Sequence, residues 1–143
     1  MSLGFDHGTI VVIQDIFASI PARYKFLKSD ITERGYMQNL FIEYLLIHHQ
    51  KSWKIRNNGK IVWDLKSESL LERIAHIFNK DWLINLSPFE RSDEVHSLYG
   101  VTSRASLHFG SPNYMHIFVN NRPVTDKIIK KAIIESYNRQ LVP

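Results

Sequence analysis

No cysteine occurs in the 143-residue sequence, which excludes disulfides, cysteine nucleophiles and thiolate metal sites and fits a reducing cytoplasm. No apolar run reaches the roughly 20 residues that a membrane helix needs. Leu40 to Ile47 comes nearest and is interrupted by Glu43. The first residues offer neither a basic start nor an apolar stretch, so no secretory signal and no membrane partner are expected, and the expected location is cytoplasmic. There is no glycine-rich P-loop, no Ser-His-Asp pattern and no paired carboxylate motif. Seven histidines are present, but His48 and His49 point to different faces of a helix, and no carboxylate stands at a zincin spacing. No metal site is expected.

What is present is globular. Hydrophobic residues make up 44% and charged residues 22% of the chain, which argues against disorder and fits one domain, or one domain with a piece of another. The net charge of +4 is a mild excess, and its placement says more than its size. Arg23, Lys25 and Lys28 form one basic group. Lys51, Lys54, Arg56 and Lys60 form a second, and the Arg122–Lys131 segment carries a third. Three such groups in one small chain point towards a nucleic-acid surface.

Taken in order, Thr9 to Phe17 is rich in isoleucine and valine and predicts a buried strand. Pro21 suits the first turn of a short helix through Leu27. Ser29 or Asp30 can cap a longer helix to about His49, with Met37, Leu40, Phe41, Tyr44, Leu45 and His48 on one face. Gly35 weakens the start of this pattern, which leaves a start after it as the alternative. Composition changes near Gln50/Lys51, where a domain boundary is expected. Trp53–Asn57 and Lys60–Leu65 alternate about Asn58-Gly59, a hairpin signal. Ser69 and Glu72 read as a capping box, followed by Leu70, Leu71, Ile74, Ala75, Ile77 and Phe78 on a buried face. Trp82 to Glu90 and Val95 to Ser103 predict two more strands, and Arg104 to Asn113 a polar loop.

The stretch Tyr114–Ile134 organises the rest. Tyr114 to Val119 predicts a strand, Asn120-Asn121 a tight turn, and Pro123 an extended exit. Thr125 or Asp126 can cap a helix in which Ile129, Ala132, Ile133 and Tyr137 recur on one side. Lys127, Lys130, Lys131 and Arg139 fall mainly on the others. From Lys51 onward the order reads β-β-α-β-β-β-α, an α+β sandwich with helices on one sheet face.

Two segments carry a resemblance. Phe118-Val-Asn-Asn-Arg-Pro-Val-Thr-Asp-Lys127 resembles the F-V-N-G-R-P-V-x-D-K segment of the MutL family of DNA mismatch repair proteins, which are GHKL ATPases. Gly8-Thr-Ile-Val-Val12, Asp15-Ile-Phe17 and Pro21-Ala-Arg-Tyr-Lys-Phe-Leu27 are similar to that family's G-T-x-V-x-V-x-D-L-F-x-N-x-P-A-R-x-K-F-L, in the same order. The family's asparagine before the proline is missing here, where Ala18, Ser19 and Ile20 stand. The resemblance runs from Gly8 to about Leu141.

It implies that residues 4–50 are the closing strand and helices of an ATPase domain, and residues 51–143 a transducer truncated before its last strand and the H-P-x-K loop. The implied transducer has the fold of the second domain of a small-subunit ribosomal protein, built on a mixed sheet. Gly8 and Thr9 match the family's nucleotide-pocket pair. Arg23, Lys25, Arg122, Lys127, Lys130 and Lys131 are implied DNA contacts, a glycine–backbone and cation–phosphate chemistry that fits these residue types. An Asp15–Arg23 ion pair is also conceivable, against a local pairing of Arg23 at its helix start. ATP and magnesium are expected in a parent protein, together with homodimerisation, double- or single-stranded DNA, a mismatch-recognition protein and other repair factors. The family's general-base glutamate, magnesium-binding asparagine and lid glycines have no counterpart in these residues, so the chain by itself is expected to be inactive towards ATP. The alternatives are a stand-alone nucleic-acid-binding module of ribosomal-type fold, and the transducer of a gyrase-type or chaperone-type ATPase.

Overall fold

The computed structural model describes residues 7–109 and 112–141. It divides into two compact units, Met1–Met37 and Gln38–Pro143, the division falling inside a helix.

In the first unit the expected strand from Thr9 to Phe17 is absent. Ile10, Val11, Val12 and Ile13 are exposed, and the segment makes no ladder. β-Branched residues favour an extended backbone, but a strand also needs a hydrogen-bonded neighbour, and no described residue provides one. Helix α1 (Pro21–Tyr24) has its proline in the first turn, as anticipated, and stops at Tyr24 rather than Leu27. Helix α2 (Asp30–Ile47) starts before Gly35, not after it. Its start is fixed by Ser29, whose hydroxyl accepts the Thr32 N–H at 3.4 Å, and by Glu33, whose carboxylate accepts the Lys28 N–H at 2.8 Å. Those bonds satisfy amides that a helix start leaves open, and so offset the glycine's cost.

The second unit holds the core where the end of α2 meets a hairpin and a short helix. Strands β1 (Trp53–Asn57) and β2 (Lys60–Leu65) pair antiparallel. Their turn is left-handed at Asn58 (φ 48) and Gly59 (φ 77), the type I′ geometry whose twist suits a hairpin. Helix α3 (Leu70–Ile77) opens with the full capping box: the Ser69 hydroxyl accepts from Glu72 N–H and the Glu72 carboxylate from Ser69 N–H. The Ser69 hydroxyl also donates to that carboxylate at 2.7 Å, and this bond, followed by the one from the Ser69 N–H, holds the Glu72 carboxyl below its usual range. Leu45, Leu46, Leu65 and Ala75 are buried. The rest of the expected α2 face is not: Met37, Leu40, Phe41 and Tyr44 remain exposed, because no described element covers them.

Amid these apolar residues lies Arg73, with 0% exposure. Its Nε donates to Glu68 Oε1 at 2.5 Å and Nη1 donates to the Leu45 carbonyl at 3.0 Å. Nη2 donates to the carbonyls of His49 at 2.8 Å, Lys51 at 3.0 Å and Lys66 at 2.7 Å. The guanidinium thereby ties the end of α2, the entry to β1 and the exit of β2 to α3. Glu68 also accepts from His76 Nδ1 at 2.6 Å, and its carbonyl accepts from His49 Nδ1 at 2.9 Å.

Residues Lys80–Asn85 form a 3-10 helix instead of the start of a strand. Asn79 directs this, its side chain accepting the Asp81 N–H at 2.9 Å. The strand begins only at Leu86: β3 (Leu86–Ser92) pairs with β4 (Ser97–Ser103). Phe89 faces Gly100, where an added Cβ would lie 3.1 Å from the ring. A third hairpin, β5 (Ile117–Val119) with β6 (Arg122–Val124), leads into α4 (Lys127–Leu141). Among the described residues the sheets are three separate two-stranded antiparallel hairpins. The single mixed sheet implied by the resemblance is not formed: the three-residue β5 and β6 offer few ladder groups, and Pro123 removes one donor.

Tyr114, expected to open the strand, stands in a short 3-10 turn, Pro112–Tyr114. There it joins a ring cluster in which Phe78 stacks on Trp82 at 5.5 Å and Trp82 meets Tyr114 edge-on at 5.2 Å. Phe109 lies 4.4 Å from Tyr114, and His116 lies 5.8 Å from Phe78. Among the described residues the buried His116 Nε2 has no hydrogen-bond partner. Burial, and then the Lys130 ammonium, push the ring below its usual 6.5, since both disfavour a second positive charge.

Two outcomes follow for stability. Arg73→Met removes one donor from each of four carbonyls and from Glu68, of which the His49 carbonyl and Glu68 keep another. It should cost about 3–5 kcal/mol in urea unfolding; Arg73→Lys, which lacks the guanidinium fork, should restore little of it. His116 is held neutral in the fold while the unfolded chain takes a proton near 6.5, so its contribution is complete above that pH and is lost as pH falls through the lowered folded value. Thermal melts of His116→Phe and the parent should therefore diverge from their neutral-pH difference below about pH 6, the variant losing less stability on acidification.

Candidate nucleic-acid interface

The hairpin–helix unit is built almost wholly from local chemistry. Asn120 (φ 49) and Asn121 (φ 60) occupy the left-handed region, which asparagine tolerates better than other side-chain-bearing residues. The turn closes on the pair Val119–Arg122 and is followed by Phe118–Pro123 and Ile117–Val124. Of the two possible caps, Asp126 is the one that forms: its carboxylate accepts the Ile129 N–H at 2.8 Å. Its carbonyl accepts the Lys130 N–H at 3.2 Å.

That cap sets the electrostatics of the helix start. The Asp126 carboxylate already occupies an N-terminal amide and faces the positive end of the helix dipole. A phosphate would meet a negative charge there, so attraction rests on the side-chain cations instead. Arg122 and Lys127 are exposed, and neither makes an ion pair among the described residues. Lys131 is exposed and lies 3.7 Å from Glu135, a pairing that water largely screens. Lys130 is half-buried and faces His116, so it is the least available of the four.

Tyr137 seats α4 on β4. Its hydroxyl donates to the Ser103 carbonyl at 2.6 Å, and it also bonds the Thr102 hydroxyl. Beside it runs an open apolar groove lined by Phe89, Ile128, Ile129, Ala132, Ile133 and Tyr137. Ile129 and Ala132 remain exposed while Ile133 and Tyr137 are half-buried, so the helix face expected to be buried is covered only in part.

The other candidates sit apart in sequence and in the first unit. Gly8 and Thr9 lie in the extended segment, both exposed, and nothing approaches the place of a Gly8 Cβ within 4 Å. A backbone that open and one hydroxyl can line a ligand, but they bring no charge to hold a phosphate. Arg23 and Lys25 are exposed at the end of α1. Among the described residues Arg23 forms no ion pair, either with Asp15 or with any other local acid. Asp15 instead takes a left-handed turn, φ 50, whose carbonyl accepts the Ala18 N–H at 2.8 Å. No group of metal-ligating side chains occurs among the described residues, and no described helix is long and apolar enough to cross a membrane. Two contributions to the interface are missed in the sequence: the burial of His116, and the hydroxyl of Tyr137, which reads there only as part of an apolar face. His116 interrupts the apolar Tyr114–Val119 stretch, and Tyr137 carries a hydroxyl on an otherwise apolar helix face; each was a polar atom in an apolar pattern, and so a signal.

Comparison with known proteins bears on this unit directly. Residues 74–143 match the family model described as DNA mismatch repair protein, C-terminal domain. The chain is similar to DNA mismatch repair protein MutL of Clostridium acetobutylicum, with 32% identity over 131 residues, 91% of this chain and 21% of that protein. It is likewise similar to MutL of Clostridium tetani, at 34% identity over 94% of this chain and 22% of the relative, and of Rickettsia bellii, at 31% over 92% and 23%. A solved structure of the Aquifex aeolicus MutL ATPase domain complexed with ADP aligns with a TM-score of 0.65 and 28% identity, covering 86% of this chain and 46% of that one. The chain thus spans about a fifth of the length of the curated relatives it matches. With an α+β architecture of small antiparallel sheets, the chain belongs to the MutL family of DNA mismatch repair proteins.

Proposed function

We propose that the chain is the coupling piece of a MutL-type mismatch repair protein: residues 4–50 close its ATPase domain, and residues 51–143 form most of a ribosomal-type transducer. The observation that carries this reading is the β5–β6–α4 unit. A rigid turn presents Arg122, a capped helix presents Lys127, and neither cation is engaged in an ion pair among the described residues. Such a surface grips the phosphate backbone without reading sequence, and its affinity falls steeply with salt.

In the full-length protein, ATP and magnesium would supply the phosphate charge whose arrival changes the preferred state. Gly8 and Thr9 would line part of that pocket through a backbone amide and a hydroxyl. The family relationship and the Aquifex neighbour complexed with ADP support the reading. A change in the ATPase part then biases dimerisation through the transducer, which is how a bound nucleotide becomes a clamp signal on DNA. Mismatch-recognition protein, other repair factors and a second copy of the protein are the partners, and the cytoplasm is the place. The isolated chain binds DNA weakly and turns over no ATP, since it brings neither a general base nor a magnesium ligand of its own.

Fluorescence anisotropy with a short duplex tests the DNA surface. Arg122→Glu/Lys127→Glu should weaken binding at low salt and lower the log–log salt slope by about 0.9 for each phosphate no longer neutralised, with thermal stability unchanged. Unaltered affinity and slope would remove the surface from consideration. A phosphate-release assay on the same chain should stay at background with ATP and magnesium; turnover above it would refute the division of labour.

A further inference from the structure

The second basic group of the sequence, on the β1–β2 hairpin, lies outside the site described above, and its geometry carries a role of its own. The hairpin has two faces. Trp53, Ile55, Trp63 and Leu65 turn inward, while Lys54, Arg56, Ile61 and Asp64 share the exposed outer face. Beyond the register shift Lys60 pairs with Asn57, so it is exposed at the tip on the opposite face from Arg56. On the outer face Lys54 is neutralised by Asp64, its cross-strand partner, at 3.0 Å. No acid occurs between Lys51 and Lys60. The free positive charge is therefore concentrated at the tip, on Arg56 and Lys60, neither of which forms an ion pair among the described residues.

The tip is also stiff and aimed. Register shifts between Ile55 and Arg56, and such a bulge twists a ribbon and redirects the side chain beside it. The left-handed pair Asn58 (φ 48) and Gly59 (φ 77) then closes the turn in two residues. Lys60 follows that turn immediately, as Arg122 follows Asn120-Asn121. The same device, a left-handed pair and then a cation, thus occurs on both hairpins. Preformed geometry reduces the ordering cost of binding.

We propose that the Arg56–Lys60 hairpin tip is a second duplex-DNA contact, a two-stranded ribbon that lays its cations on phosphates at the rim of the major groove. The groove is about 12 Å wide and admits such a ribbon. A single strand is disfavoured as the ligand: sequence-tolerant binding to it uses exposed rings on which bases stack, and both tryptophans of this hairpin face inward. The proposal rests on the reading of the chain as DNA-binding and adds an independent contact to it.

The test compares charge-matched double variants of the 143-residue chain on a duplex and on a single strand of equal length. Arg56→Glu/Lys60→Glu should weaken duplex binding several-fold at low salt and lower the log–log salt slope by about 1–2, at about 0.9 per phosphate, while the melting temperature holds. Lys80→Glu/Arg91→Glu, an equal change of net charge at exposed positions elsewhere, should have less than half that effect. If the tip variant matches this control, or if its effect appears only on the single strand, the tip contact is refuted while Arg122 and Lys127 stand. If the unsubstituted chain binds neither DNA at low salt, the DNA reading itself falls, and the tip contact with it.

Discussion

Four backbone carbonyls and one carboxylate converge on the Arg73 guanidinium, and the second unit is assembled around that convergence. A helix C-terminus leaves carbonyls without partners. Among the described residues the only carbonyl between α2 and β1 that local groups satisfy is that of His48, bonded by the Lys51 N–H and the Trp53 indole. One planar cation with five N–H groups satisfies others from across the core. The cost of burying its charge is recovered only because Glu68 stands beside it and each of its three nitrogens finds an acceptor. The clasp is consequently demanding about shape. The hairpin, the α2 end and α3 must all be in place before any one of its bonds outweighs the desolvation.

This divides the structure into what neighbouring residues decide and what distant ones decide. Asn58-Gly59, the Ser69–Glu72 box, Pro21 in its first turn and the Asn120-Asn121 turn were all legible in sequence, because their partners lie within three or four positions. The hydrophobic patterns were less dependable. Thr9 to Phe17 has the composition of a strand but no ladder to join, and the apolar side of α2 has nothing over it among the described residues. Trp82 has the character of a strand residue, yet the Asn79 side chain starts a 3-10 turn there and delivers the indole to the Phe78–Tyr114 cluster. The Arg73 clasp lies beyond sequence reading altogether, since its acceptors are main-chain atoms as far as 28 positions away.

The same division applies to the charged surface. Which residues are cationic is plain from sequence, but which of them remain available is a tertiary matter. Lys54 and Lys131 have carboxylates in reach, and Lys130 shares its surroundings with a buried imidazole. Asp126 puts a negative charge at the very helix start that would otherwise receive an anion. Of the cations that form no ion pair among the described residues, Arg56, Lys60, Arg122 and Lys127 sit at two hairpin turns and one helix flank, each on backbone fixed by its own local bonds. Charge supplied in this way is held in position with little loss of entropy on binding.

The phenol of Tyr137 gives α4 a further property. Anchored to the Ser103 carbonyl and the Thr102 hydroxyl, the helix cannot roll about its axis or slip along β4 without breaking those bonds together. Carrying the β3–β4 hairpin along breaks none. One phenol thus fixes the rotational setting of the helix on the strand, as a single tooth sets a gear.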